Sequence, residues 1–187
     1  AIPVIYVDVW RAGCSAILIQ KQPDQWGNPV AFDQAALTNG KPRAFIGTAI
    51  SGEPIVIDHE KEHGVLIAGA SGSGKTEVFV AHHKSMLLSG IDPVIYIIDL
   101  KGTPQLKRLK SDCYISKTRD ENDTVIPDIK TALNLMRGLV NELSERMECY
   151  SAADCDNIWQ YRKRKNANEH PIVLYIDELA VLSRAAK

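Results

Sequence analysis

The chain has 187 residues, enough for one sizeable domain or one domain with a small appendage. Its 22 Lys+Arg stand against 23 Asp+Glu, a formal net charge of -1, which excludes a nucleic-acid binder driven by bulk positive charge but leaves room for a local basic surface. Hydrophobic residues make up 45%, with only 9 Pro and 12 Gly, so a packed core is expected rather than disorder.

The first sixty residues read as β-structure. Ile2 to Trp10 is rich in β-branched and aromatic residues, and Ala16 to Ile19 is a second short apolar run. Residues 20–43 carry Pro23, Gly27-Asn28-Pro29, Asn39-Gly40 and Pro42 and read as a loop-rich linker. Phe45 to Ile50, the turn Ser51-Gly52-Glu53-Pro54 and Ile55 to Asp58 form a predicted hairpin.

From Gly64 the texture changes. Val65-Leu66-Ile67-Ala68 is a fully apolar run, which predicts a strand buried on both faces, and a helical segment follows to about Ser89. Val94 to Ile98 and Ile172 to Ile176 are two further apolar strands. Between them a long helix is expected. Ile129, Leu133, Met136, Val140, Leu143 and Met147 share one of its faces, and Asp128 is its N-cap. Buried strands alternating with amphipathic helices point to a parallel α/β architecture.

Gly69-Ala70-Ser71-Gly72-Ser73-Gly74-Lys75-Thr76 is a complete G-x-x-x-x-G-K-S/T match between a strand and a helix. Its glycines let successive backbone N–H groups point at phosphate oxygens. Lys75 supplies a charge for the β- and γ-phosphates, and the Thr76 hydroxyl ligates Mg²⁺. Ile172 to Glu178 has the form of a Walker B element, an apolar strand ending in two acids. Asp177 would hold the Mg²⁺ shell, and Glu178 would orient or deprotonate the attacking water. The other reading of this pair is a helix N-terminus that starts with two acids. Asp99 also ends an apolar strand, where α/β sheets place ligands; its other reading is a carboxylate capping the next turn.

Other patterns carry less. His59-Glu60-Lys61-Glu62-His63 fits H-E-x-x-H, but it is squeezed between two strands where zinc chemistry needs a helix. Cys14, Cys113, Cys149 and Cys155 lie far apart and read as reduced thiols, with Cys149, Cys155 and His170 lacking metal spacing. His82 and His83 read as ordinary helix residues. Arg162-Lys163-Arg164-Lys165 is either a solvated helix end or a contact for DNA phosphates. No apolar stretch approaches the length of a spanning helix, and no leader precedes the first strand, so a cytoplasmic domain is expected.

Taken together, these motifs resemble the FtsK/SpoIIIE-type DNA-translocase motor domain, a branch of the RecA-like P-loop ATPases. Gly47 with Ser51-Gly52-Glu53-Pro54 resembles its G-x-x-x-S-G-x-P lead-in, and Val65 to Thr76 resembles its L-x-A-G-x-x-G-S-G-K-S/T loop. Asp99-Leu100-Lys101-Gly102 resembles its Asp-Pro-Lys element, with Leu100 in place of proline. Glu142 to Tyr150 resembles E-M-x-x-R-Y with Arg146 and Tyr150 in register; Asp156-Asn157-Ile158 and Tyr161 resemble R-N-I-x-x-Y-N. Asp177-Glu178-Leu179-Ala180 is similar to the family's Walker B ending.

The resemblance implies a RecA-like core over residues 45–187 and a β-rich N-terminal segment or appendage over residues 1–44. It implies ATP and Mg²⁺ as ligands, with Gly69 to Thr76 and Asp99 at the nucleotide, Thr76 and Asp177 at the metal, and Lys75 and Glu178 catalytic. It also implies a homo-oligomer, usually a hexameric ring, that pumps double-stranded DNA, with any membrane anchor outside this chain. The related motors that drive protein export share these motifs, and a non-hydrolysing ring subunit is a third possibility. RecA-like cores continue past Walker B, whereas Lys187 lies nine residues beyond Glu178; a core truncated after Walker B is therefore expected, with its arginine finger and DNA-facing loops elsewhere.

Overall fold

The computed structural model describes residues 6–10, 14–18, 31–37, 40–49, 52–165 and 168–185. Most of the predicted linker, Ile2 to Ile5, Ile19, Ser51 and the final Lys187 lie outside these residues. The chain divides into two compact units, residues 1–92 and 93–187.

In the first unit, β1 (Tyr6–Trp10) pairs antiparallel with β2 (Cys14–Leu18), and β2 pairs parallel with β5 (Gly64–Ala68). The predicted hairpin forms as β3 (Arg43–Thr48) and β4 (Pro54–Asp58), with a bulge between Phe45 and Gly47. Helix α1 (Lys75–Leu88) packs on β3. Phe45, Ile57, Phe79 and Met86 are buried there, and Phe45 N–H donates to Ser85 Oγ (3.0 Å), which itself donates to Ala81 O (2.8 Å). Gly90, at φ +72°, takes the left-handed conformation that ends such a helix just beyond Ser89.

Strand β5 departs from expectation. It is not buried on both faces: Leu66 is 55% exposed and Ala68 is exposed. Among the described residues it lies at the edge of its sheet, hydrogen-bonded to β2. An apolar run gives the residues' preference for burial but not which of its two flanks is covered.

The second unit is built on a parallel sheet in the order β10–β6–β7, formed by β6 (Val94–Asp99), β7 (Cys113–Ile115) and β10 (Ile172–Asp177). The central β6 buries Ile95, Ile97, Ile98 and Asp99. Ile98, Leu100, Ile115, Ala132 and Leu182 form the core, with Leu174 and Ile176 of β10 against it. A short exposed hairpin, β8 (Lys117–Arg119) with β9 (Val125–Pro127), leads into α2 (Ile129–Ala152). Two shorter helices follow, α3 (Ile158–Lys165) and α4 (Leu179–Ala185).

Asp128 caps α2 as expected, accepting from Thr131 N–H (3.1 Å). At the other end Asp154 takes φ +55° and Cys155 N–H reaches back to Tyr150 O (2.9 Å), the pattern of a Schellman stop with Asp in the glycine position. The six-residue apolar face is only half used. Ile129 and Met136 pack on the core, but Val140, Leu143 and Met147 are 62%, 56% and 60% exposed. Length explains this: 24 residues of helix run about 36 Å, whereas the six-residue strands beneath run about 20 Å, so the second half overhangs.

Candidate nucleotide site

The candidate residues fall in both units, the phosphate loop in the first and the acidic strand ends in the second. In the first, β5 leads directly into the loop and α1 leaves it. Gly72 and Gly74 adopt φ +75° and +94°, a region that only glycine enters without strain, and Gly74 is the N-cap of α1. No side chain caps the helix, so its first N–H groups remain available as donors at its positive end. Lys75 folds back over the loop and donates to the Gly69 and Ala70 carbonyls, both at 2.8 Å. The Ser73 hydroxyl is buried without a hydrogen-bond partner, an orphaned polar atom inside the cradle. Thr76 stands half-buried in the first helical turn. Uncapped N–H groups, a mobile ammonium and an unsatisfied hydroxyl form a donor set that fits a polyphosphate.

In the second unit, β6 and β10 end in register, which sets Asp99 beside Asp177. Asp99, expected at the nucleotide, is instead wholly buried and committed to the turn that follows it. Its Oδ1 accepts from Gly102 N–H (2.9 Å), and its Oδ2 accepts from Thr103 N–H and Tyr114 OH (both 2.6 Å). A carboxylate at a strand end lies closer to the N–H groups of its own turn than to any ligand, and here the turn takes it. Tyr114 is pushed up to about 12 by burial and by the Asp99 oxygen it donates to.

Asp177 is half-buried, and Thr103 Oγ1 lies 3.4 Å from its Oδ2 and 3.4 Å from Asp99 Oδ1. Burial pushes its carboxyl up from the usual value; Lys101 opposes the rise, and Asp99 adds to it. Glu178 follows at φ +67°, a left-handed backbone, and forms an ion pair with Lys101. That hydrogen bond raises the Lys101 pKa. The carboxylate oxygens of Asp177 suit a hard divalent cation such as Mg²⁺.

The sequence model of the FtsK/SpoIIIE family matches residues 7–186. The chain belongs to the FtsK/SpoIIIE family. Among its FtsK/SpoIIIE relatives, DNA translocase FtsK of Chlorobaculum tepidum is 32% identical over 142 residues, 73% of this chain and 18% of that protein. DNA translocase SftA of Bacillus subtilis is 33% identical, over 76% of this chain and 15% of its own length. DNA translocase FtsK of Clostridium tetani is 31% identical, over 91% and 24%. The chain thus spans about a fifth of the relatives it matches. The FtsK/SpoIIIE match also reaches forty residues or so upstream of Ile46, where the motifs begin, and the family carries the P-loop NTPase fold.

Two further FtsK/SpoIIIE elements hold the second unit together. Arg146 pairs with Glu142 (2.7 Å) and Glu169 (3.1 Å) and donates to His170 O (2.8 Å), tying α2 to the approach of β10. Tyr150 is buried against Tyr161 of α3, ring centroids 5.0 Å apart. In the basic run, Arg162 donates to Glu169 O, and Arg164 pairs with Asp154 at 2.9 Å. Arg162 and Arg164 therefore serve the fold. His82 and His83, expected to be ordinary helix residues, are buried. His59 lies in the β4–β5 connection and its Nε2 meets His82 Nε2 at 2.8 Å.

Proposed function

We propose that this chain is the nucleotide-binding and hydrolysing part of an ATP-driven motor that moves double-stranded DNA, with residues 45–187 contributing to a RecA-like core. The phosphate loop carries the reading: Gly72 and Gly74 in left-handed conformations, Lys75 over the loop and α1 uncapped behind it. Family membership and the names of the relatives support DNA as the track. A homo-oligomeric ring, usually of six, and a cytoplasmic setting follow from the same resemblance; no helix among the described residues is long and apolar enough to cross a membrane.

The loop N–H groups and Lys75 bind the β- and γ-phosphates and stabilise the negative charge that builds on their oxygens. Thr76 and Asp177 would hold Mg²⁺, which supplies charge neutralisation at the phosphates. Glu178 accepts a proton from the water whose oxygen bonds to the terminal phosphorus as the bond to the ADP oxygen breaks. Asp99 takes no part in this step and positions its neighbours.

The test is ATP turnover by the intact protein with and without linear double-stranded DNA. Strong stimulation by DNA is expected. A rate indifferent to DNA would move the reading to a protein-export motor, and ATP binding without turnover to a non-hydrolysing ring subunit.

A further inference from the structure

The turn that follows β6, Leu100 to Thr103, is held by the Asp99 carboxylate and, behind it, by Tyr114. Asp99 accepts from two of its N–H groups, and Tyr114 OH anchors the same carboxylate from β7. Gly102, at φ +71°, lies under Lys117 of β8, whose Cε and Cδ would stand 3.1 and 3.4 Å from an added Cβ. A turn so constrained presents its side chains in one arrangement, and two of them reach the end of β10. Thr103 Oγ1 lies 3.4 Å from Asp177 Oδ2, and Lys101 pairs with Glu178.

The need for such a device follows from the register. Matched ends of neighbouring parallel strands lie about 4.8 Å apart, so Asp99 and Asp177 are two carboxylates side by side. Left alone, each would disfavour the other's charge and turn away from it. Three donors instead absorb Asp99, and the hydroxyl of Thr103, whose N–H is one of them, lies between the two carboxylates, 3.4 Å from Asp99 Oδ1 and 3.4 Å from Asp177 Oδ2. A hydroxyl has one proton to give; with Asp99 already holding three donors at 2.6–2.9 Å, that proton falls to Asp177 Oδ2 and biases the orientation of its carboxylate.

We infer that Thr103 is a positioning residue for Asp177, held in place by the Asp99–Tyr114 hydrogen bond, and that this turn sets how well the site takes up Mg²⁺ with nucleotide. The inference rests on Asp177 being a metal-holding residue. Outer hydrogen bonds of this type tune the inner ligands of a metal without touching the metal.

The experiment is binding of N-methylanthraniloyl-ATP to the intact protein, first in EDTA and then through a Mg²⁺ titration. Thr103→Val should keep the parent affinity in EDTA but raise the Mg²⁺ midpoint about three- to tenfold, the worth of one hydrogen bond. Thr103→Ser, which keeps the hydroxyl, should restore the parent midpoint, and Tyr114→Phe should shift it in the same direction as Thr103→Val. An unchanged midpoint in Thr103→Val overturns the inference. So does Thr103→Ser behaving like Thr103→Val, which would make the methyl contact the cause. Should Thr103→Val fail to fold, Tyr114→Phe decides alone: a raised midpoint supports positioning, and a parent midpoint rejects it. Absence of nucleotide binding by the parent protein under both conditions would instead overturn the nucleotide reading itself, and this inference with it.

Discussion

Lys75 and Glu178 stand at opposite ends of the proposed reaction, and their substitution separates binding from chemistry. Lys75 is the loop's one side-chain cation, so Lys75→Ala should weaken ATP binding by about ten- to a hundredfold, the loss of a charged hydrogen bond. Equilibrium binding checks this; tight Mg²⁺-dependent binding by the variant would refute it. Glu178→Gln should leave ATP bound while turnover falls by about 10²–10⁴, the usual contribution of a positioned base. Normal turnover in that variant would remove Glu178 from the step. Lys101 has a different effect. Its ion pair with Glu178 is half-exposed, and such pairs are worth about 0.2–1 kcal/mol. Freeing the carboxylate by Lys101→Ala should therefore raise basal turnover, by no more than about fivefold, with ATP affinity unchanged. A fall in turnover would mean that Lys101 assists the chemistry.

At the scale of elements, α2 shows how one periodic pattern serves two surroundings. Ala132 has no exposed surface, and Leu143, three turns along the same helix, is mostly in solvent. Ala132→Leu should overpack the core at a cost of about 1–3 kcal/mol, whereas Leu143→Gln should stay within about 0.5 kcal/mol of the parent. Urea unfolding of both variants measures the contrast, and equal losses would contradict the packing described. The hydrophobic repeat made the helix and its Asp128 cap legible in the sequence, but a repeat contains no information about how far the sheet beneath extends. The same limit applies to β5, whose apolar residues gave the strand but not its edge position. Asp99 was readable as a strand-end carboxylate with two roles. What selects capping is the approach of Tyr114, on a three-residue strand too short to leave a periodic signal. The His59–His82 contact joins residues 23 apart and has no local pattern at all.

For the molecule as a whole, that histidine pair ties stability to pH. His59 Nδ1 faces Glu62 O (2.7 Å), and a carbonyl can only accept, so His59 Nε2 is the acceptor for His82 Nε2–H. Burial pushes His82 down to about 3, with the charges of His59 and His83 adding to the fall; burial also lowers His59, against the raising influence of the Glu62 carbonyl, Asp58 and Glu62, while His63 adds to the lowering. The unfolded chain binds these protons near pH 6.5 and the folded chain resists them. The stability from His82 is therefore complete above about pH 6.5 and is lost as the pH falls from there toward 3, by up to about 1.4 kcal/mol per pH unit, and His59 acts in the same direction. The urea midpoint should drop between pH 7 and pH 5, and His82→Leu should flatten that part of the profile. A midpoint constant over this range in the parent protein would refute the linkage.

Glu178 occupies a left-handed backbone conformation, which costs a non-glycine residue on the order of 1 kcal/mol or more. Glycine would sit there without strain, so Glu178→Gly, although it loses the Lys101 pair and adds chain entropy, should leave the melting temperature no lower than the parent's and up to about 2 °C higher while turnover collapses. Evolution under a demand for folding alone would drift away from glutamate at this position. The fold carries a standing bias against its own proposed base, and only continued selection for work done on the substrate would keep that residue in place.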